Sequence, residues 1–234
     1  MYKRPRHRII ERVLGAMNPD FLRDTKCYFA GGTAISLLLG EFRESVDIDF
    51  LCADQTGYRK LRESVFNRGL GDIFNEDVQL LRDVRTDRDA IRTVLAVDNT
   101  PVKFEIVREA RIELGGMEVP SIPVPCLSRI DLFAEKLLAN ADRWNDKSAM
   151  SRDVIDLMIM EDHWGGIPDN AWKKAAEAYG NSAYAALEKA KEQLRHNPEY
   201  LQECLDKMGI DDETGSILRK ELGVDLDPGD DFGL

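Results

Sequence analysis

Apolar residues near the start of the chain recur at helical spacing. Ile9, Ile10, Val13, Leu14 and Met17 fall on one face, which predicts a first helix over residues 5–17. Asn18-Pro19-Asp20 reads as a turn. Tyr28-Phe29-Ala30 is a short apolar run ending at Gly31-Gly32, the pattern of a strand entering a tight turn. After Thr33, Ala34 to Leu39 continue as a helix that Gly40 closes. Val46 to Cys52 is rich in β-formers and alternates in part, so it is predicted as a strand. A helix over 57–68 and strands over 77–82, 91–97 and 102–107 follow, then a hairpin over 110–119 centred on Gly115-Gly116.

Beyond residue 119 the pattern changes. Pro120 to Pro125 holds three prolines and reads as an extended linker. Ile130, Leu132, Phe133, Leu137 and Leu138 then mark one helix, and Val154, Ile155, Leu157, Met158 and Ile159 mark another. Two or three more helices are expected between Asn170 and Leu222, and the tail from Asp225 to Leu234 is expected to fray. The predicted class is α+β, with a mixed α/β domain over 1–120 and a helical domain over 121–234.

Composition narrows this little. With 43% hydrophobic and 32% charged residues in 234, the chain can bury a core without staples. The four cysteines form no Cys-x-x-Cys pair and have no histidine at zinc spacing, so they read as reduced thiols. The first residues lack the apolar core of a signal peptide, and no apolar run approaches the ~18 residues of a membrane span. A cytoplasmic protein is expected. The net charge of −11 gives no long-range attraction for nucleic acid, although a local basic patch can dominate a small footprint. Lys3, Arg4, Arg6, His7 and Arg8 form one such cluster, and Arg82, Arg85, Arg88 and Arg92 another. Each is either a solvated face or a phosphate contact.

Candidate chemistry concentrates in Phe29-Ala30-Gly31-Gly32-Thr33 and in Ser45-Val46-Asp47-Ile48-Asp49-Phe50. Glycines at a strand-to-helix turn let backbone N–H groups approach an anion, the helix end favours negative charge, and Thr33 can donate a hydrogen bond. The same three residues also suit an ordinary turn capped by threonine. Residues two apart on a strand share a face, so Asp47 and Asp49 would place two carboxylates side by side. They would repel each other unless a divalent cation sat between them, and Mg²⁺ prefers carboxylates, water and phosphates. The competing reading is an edge strand with a polar, solvent-facing side. Two-metal phosphoryl transfer normally uses a third acid. Glu105 in the alternating run 102–107 is the candidate, unless it is merely exposed or paired with Lys103, which points to the same face.

The run Gly31-Gly32-Thr33-Ala34, Gly40, Arg43, Ser45 and Asp47-Ile48-Asp49-Phe50 closely resembles the first motif of the AbiEii/AbiGii-type nucleotidyltransferases. These are toxin components of bacterial toxin–antitoxin and abortive-infection systems, within the DNA polymerase β-like superfamily. Asp131-Leu132, Glu135-Lys136-Leu137, Arg143, Arg152-Asp153 and Asp156-Leu157 resemble that family's helical motif. The resemblance spans about residues 28–160. It implies a nucleotidyltransferase fold, a short mixed sheet flanked by helices, whose helical domain completes the nucleotide site. It further implies that Gly31, Gly32 and Thr33 hold nucleotide phosphates and that Asp47 and Asp49, with Glu105, hold Mg²⁺ or Mn²⁺. Lys136 would reach the phosphates, Arg152 would contact phosphate, and Asp153 would support Lys136 or a substrate group. The plain alternative for Lys136 and Asp153 is an interhelical salt bridge. Thr33 stands where many relatives have Ser, and the third acid is Glu rather than Asp.

The implied reaction moves a nucleoside monophosphate from an NTP to an acceptor with release of pyrophosphate. The acceptor would be RNA, plausibly tRNA, or a protein, and a cognate antitoxin protein would be a partner. Alternatives are nucleotidylation of a small molecule, as in aminoglycoside inactivation, or a silent domain that binds a partner. His7, His163 and His196 give no metal-ligand spacing, and Trp144, Trp164 and Trp172 read as packing residues rather than a base-stacking platform.

Overall fold

A computed structural model of the chain describes residues 2–224, and the tail expected to fray lies outside them. Helix α1 (Pro5–Ala16) starts with proline in its first turn and buries His7, Ile10, Val13 and Leu14. Where a simple turn was expected, the Asn18 side chain accepts from the Phe21 N–H and opens a short helix, α2 (Pro19–Asp24). Asn followed by Pro serves a helix start as well as a turn. Strand β1 (Cys27–Ala30) runs directly into α3 (Gly31–Leu38), which begins at the two glycines rather than at Ala34. Strand β2 (Ile48–Cys52) is shorter than the 46–52 stretch, because Val46 and Asp47 stand just before it. The Thr33 hydroxyl donates to the Asp47 carbonyl, which gives that oxygen a partner outside the strand ladder.

Asp54 caps α4 (Gln55–Arg68) through the Gly57 N–H. Strands β3 (Leu80–Thr86), β4 (Ala90–Val97) and β5 (Thr100–Arg108) follow. The next hairpin lies later than expected, with β6 (Gly116–Val119) paired antiparallel to β7 (Ile122–Leu127). The proline-rich stretch is thus a strand and not a linker. Pro123 and Pro125 are tolerated because neither is a ladder partner: β7 meets β1 at Cys126, and a register shift interrupts its pairing with β6. The seven strands form one mixed sheet in the order β3-β4-β5-β2-β1-β7-β6. Its β2–β5 and β1–β7 neighbours are parallel.

After Leu127 the described residues are helical: α5 (Arg129–Arg143), α6 (Arg152–Trp164), α7 (Asp169–Tyr179), α8 (Ser182–His196), α9 (Pro198–Met208) and α10 (Asp212–Leu222). The region after Asn170 therefore carries one helix more than the apolar pattern resolves. Pro198 and Gly209 divide it into segments too short for that pattern to separate. Two apolar cores flank the sheet. Under α1 and α4, Phe29, Phe50 and Phe104 stack in series at 5.5 and 6.1 Å between ring centres. On the other side the helices from α5 onward pack against Ala30, Ile35 and Leu51. Since neighbours on β2 alternate, burying Ile48, Phe50 and Cys52 in the first core turns Asp49 and Leu51 toward α5. No helix among the described residues is long and apolar enough to cross a membrane, and all four cysteines are buried and free.

Candidate active site

A cavity of about 440 Å³ opens between the sheet and α5. Gly31, Gly32 and Ile35 from α3, Asp49 and Leu51 from β2, and Val107 from β5 form one wall. Leu132, Glu135, Lys136, Ala139, Asp142 and Arg143 form the other, a set spaced by three, four and seven residues along one face of α5.

The glycine turn is demanded by its neighbours. Gly31 has φ +72°, and a Cβ there would meet the Asp49 carboxylate at 2.8 Å. A Cβ on Gly32 would meet the Arg43 guanidinium at 2.1 Å. The start of α3 thus lies against an acid on one side and a base on the other, with the first-turn N–H groups of the helix at the cavity wall. Thr33 is buried. Its hydroxyl donates to the Asp47 carbonyl and exchanges a hydrogen bond with Ser45 Oγ at 2.9 Å, so it ties down the segment that carries Asp47.

Asp49 lies opposite Glu105 in the parallel β2–β5 register, and Asp47 precedes β2 by one residue. Burial, then the charges of Asp47 and Glu105, push the Asp49 carboxyl up to about 6, with Lys103 working against the rise. Glu105 is held by Arg92 and lies 3.4 Å from Lys103 Nζ. Among the described residues, no three His, Cys, Asp or Glu side chains converge closely enough to hold a metal ion by themselves. Two carboxylates whose mutual repulsion raises a pKa still fit Mg²⁺, which draws its remaining ligands from water and phosphate oxygens.

Opposite this acidic edge lies a buried ion network. Lys136 Nζ is 2.9 Å from Asp153 and 2.7 Å from Asp156. Arg143 grips Asp153 through two hydrogen bonds at 2.6 and 3.0 Å, and Arg43 grips Asp156 at 2.6 and 2.8 Å. Burial alone would neutralise these groups. For Asp153, Lys136 and Arg143 outweigh it and hold the carboxyl well below the usual range; for Asp156, Arg43 and Lys136 do the same. For Lys136, the two aspartates outweigh burial and keep the ammonium charged. Three cations face two carboxylates, so the network itself carries one positive charge in excess, and Lys136 and Arg143 present it to the cavity beside Glu135 and Asp142.

Of the residues singled out from sequence, Gly31, Gly32, Asp49 and Lys136 line one cavity. Asp153 stands behind Lys136 as its ion-pair partner, while Asp47, Glu105 and Thr33 flank the cavity without lining it. Arg152 is exposed and donates to the Ala149 carbonyl at 3.0 Å, away from the lining residues. Other participants were not assigned to the site from sequence, and His7, read within the N-terminal basic cluster as solvated or phosphate-contacting, is neither exposed nor at the cavity. His7 is buried, donates through Nδ1 to the Glu41 carboxylate at 2.9 Å, and accepts the Ser45 N–H at 3.2 Å through Nε2. It supports the Asp47 segment from beneath, and its helical spacing with Ile10 and Leu14 was the available signal. Arg111 gathers Glu109, Glu135, Asp142 and Tyr179 at another edge of the cavity. There burial and the charge of Glu109 push Glu135 up to about 8, partly offset by Arg111. Only folding brings these residues together.

Comparison with known proteins adds independent findings. The family model described as nucleotidyl transferase AbiEii toxin, type IV toxin–antitoxin system, matches residues 12–222. No curated protein matches the chain. Among solved structures, a candidate nucleotidyltransferase from H. pylori is similar at 20% identity and a TM-score of 0.51, covering 92% of each chain. An antigenic nucleotidyltransferase-like protein from Paracoccidioides brasiliensis is similar at 15% identity and a TM-score of 0.48, covering 84% of this chain and 92% of that one. The first likeness shows a shared fold.

Proposed function

The chain belongs to the AbiEii nucleotidyl transferase toxin family of type IV toxin–antitoxin systems, and from that premise we propose that it transfers a nucleoside monophosphate from an NTP to a hydroxyl of an RNA acceptor, tRNA foremost. One observation carries the reading. The glycine turn of α3, the Asp49 carboxylate and the Lys136 ammonium come from distant parts of the chain and line a single cavity.

In that cavity the first-turn N–H groups of α3 bind triphosphate oxygens, favoured by the positive end of the helix dipole. Lys136 and Arg143 attract the same oxygens, because the network behind them carries one more positive charge than negative. Ile35, Leu51, Val107, Leu132 and Ala139 leave an apolar wall for the sugar or base. Asp47 and Asp49 would hold Mg²⁺ or Mn²⁺, with Glu105 as a third ligand once Arg92 and Lys103 let it go. Bound there, the ions would activate the acceptor hydroxyl and neutralise charge on the leaving pyrophosphate. Attack at the α-phosphorus forms one P–O bond and breaks the bond to pyrophosphate, and the protein's own share is positioning and charge stabilisation. Membership of a toxin–antitoxin family makes an antitoxin protein the expected partner.

The test is transfer of label from each α-labelled NTP, with Mg²⁺ or Mn²⁺, to total cellular RNA and protein, beside an Asp47→Ala, Asp49→Ala double variant. Label on RNA that vanishes in the variant is the expected result. Label on protein instead would redirect the acceptor assignment. No transfer with any nucleotide would overturn the reading.

A further inference from the structure

The surface beyond the active site is acidic on balance, yet one region reverses sign. Arg59 and Arg62 on α4, Arg88 in the β3–β4 turn and Arg108 at the end of β5 line a cavity of about 490 Å³ that has no acidic residue in its lining. Arg62 and Arg108 have no acidic residue beside them in the cavity lining. Arg59 and Arg88 have only exposed partners, Glu63 at 3.9 Å and Asp89 at 3.2 Å, and such pairs neutralise little in water. A second cavity of about 720 Å³ shares Arg59 and Arg62, includes Glu63, and is edged by Phe66, a residue 91% exposed. Arginines are costly to gather in one lining without acids among them, and an aromatic ring is costly to leave in water.

This region lies on the α4 side of the sheet, around the end of β5 from the active site: Glu105 and Val107 face the α5 side, whereas Arg108, of opposite parity, faces α4. Arg108 lies three residues beyond Glu105 on β5, about 10 Å at the rise of a strand. Between them, Arg92 holds Glu105 with one nitrogen and lies 3.2 Å from Asp87 with another, in the turn that carries Arg88. Val107, beside Arg108 in the chain, lines the nucleotide cavity on the other face of the sheet, so the two regions meet only around the end of β5.

We infer that this arginine groove binds the phosphodiester backbone of a single-stranded stretch of the RNA acceptor, with Phe66 stacking on a base, and so anchors the acceptor on the α4 side of the sheet while its reacting end rounds the end of β5 toward Asp49. The inference rests on the reading that RNA is the acceptor. A basic track combined with an exposed ring suits a single strand: the guanidinium groups follow phosphates, and every base offers a π-face. An acidic protein segment would satisfy the arginines but would leave Phe66 without a role. Because the net charge of −11 disfavours polyanions on balance, the groove favours one direction of approach for an RNA.

The test measures binding of a short fluorescent oligouridylate by anisotropy across about 50–200 mM salt. Wild type, an Arg62→Gln, Arg108→Gln double variant and Phe66→Ala are compared, with NTP binding and label transfer to RNA followed in parallel. The double variant should bind at least roughly tenfold more weakly, with the log–log salt slope reduced by about 0.7 per lost phosphate contact. Phe66→Ala should weaken binding and leave the slope unchanged. All three should bind NTP alike. Wild-type affinity and wild-type labelling of RNA in the double variant would overturn the groove while leaving the transferase reading intact. Loss of RNA binding in a protein that labels only protein would support the groove and remove RNA as the acceptor. Displacement of the oligouridylate by polyglutamate at equal charge concentration would overturn the RNA assignment in favour of an acidic protein.

Discussion

Arg43 and Asp156 are joined by two parallel hydrogen bonds, at 2.6 and 2.8 Å, in a space that neither side chain shares appreciably with solvent. The pair fastens the segment leading to Asp47 onto α6, and the same guanidinium occupies the room that a side chain at Gly32 would need. Losing one partner of a buried pair leaves an uncompensated charge, which typically costs about 3–5 kcal/mol. Arg43→Met should therefore destabilise the protein by about 3 kcal/mol, the lower end of that range, because Asp156 loses two charged hydrogen bonds and keeps only Lys136, while Asp153 retains Arg143. Adding Asp156→Leu should restore part of the loss. Urea unfolding of the two variants checks this, and a double variant less stable than Arg43→Met would contradict the assignment.

Gly32→Ala tests the same contact from the other side. A methyl group 2.1 Å from Arg43 Nη2 forces the guanidinium off Asp156 or shifts the turn. The expected result is a loss of about 1–3 kcal/mol, typical of overpacking, together with NTP affinity reduced at least tenfold. Equilibrium unfolding and a nucleotide titration read the two effects separately. Unchanged nucleotide affinity would remove the glycine turn from the phosphate site.

Asp49 is held in a place that disfavours its charge, with its carboxyl pushed up to about 6 by burial and by Asp47 and Glu105. A raised carboxyl pKa destabilises the fold at neutral pH, by up to about 3 kcal/mol for a two-unit rise. Asp49→Asn should thus raise the melting temperature of the metal-free protein at pH 7–8 while abolishing nucleotide transfer. Added Mg²⁺ should stabilise wild type and leave the variant unmoved. Equal Mg²⁺ responses in calorimetry would show that the ion binds elsewhere.

The pH dependence of stability should carry a signature of His7. Burial lowers its pKa below the ordinary 6.5, with Glu41 only partly compensating. The unfolded chain therefore binds a proton more readily than the native one, and stability falls as pH drops through the unfolded value. Protonation would also place a hydrogen on the nitrogen that accepts from Ser45 N–H. The stability difference between wild type and His7→Gln should shrink between pH 8 and pH 5.5 in denaturant titrations. A difference constant over that range would mean that His7 is protonated alike in both states.

How much of this was legible depended on whether the physics was local. The alternation around Asp49 and the glycine turn are local patterns, and both appear where the sequence places them. β2 is shorter than its alternation suggests, and the Asp47 carbonyl just before it accepts from the Thr33 hydroxyl, a contact across fourteen residues that no alternation rule contains. Pro123 and Pro125 signalled a linker because proline opposes a ladder, yet β7 sits where few ladder bonds are needed. The basic cluster read at 82–92 was dispersed by folding. Arg92 went to Glu105, while Arg88 joined Arg59, Arg62 and Arg108, three residues outside that cluster.

Lys136 separates a structural salt bridge from a nucleotide contact, the two roles that its sequence context left open. Replacing it with methionine removes the one cation that touches both Asp153 and Asp156. Each aspartate nevertheless keeps a two-pronged arginine, Arg143 for Asp153 and Arg43 for Asp156, so charges in the network then balance. Methionine also suits the apolar stem of the site. The fold should accordingly survive, at a cost of about 1–2 kcal/mol, well short of what a stranded buried charge would take. Nucleotide binding should fall at least tenfold, because the ammonium that faces the cavity is gone. Severe unfolding with little change in NTP affinity per folded molecule would instead make Lys136 a structural strut. Intact folding with intact NTP affinity would place the triphosphate elsewhere.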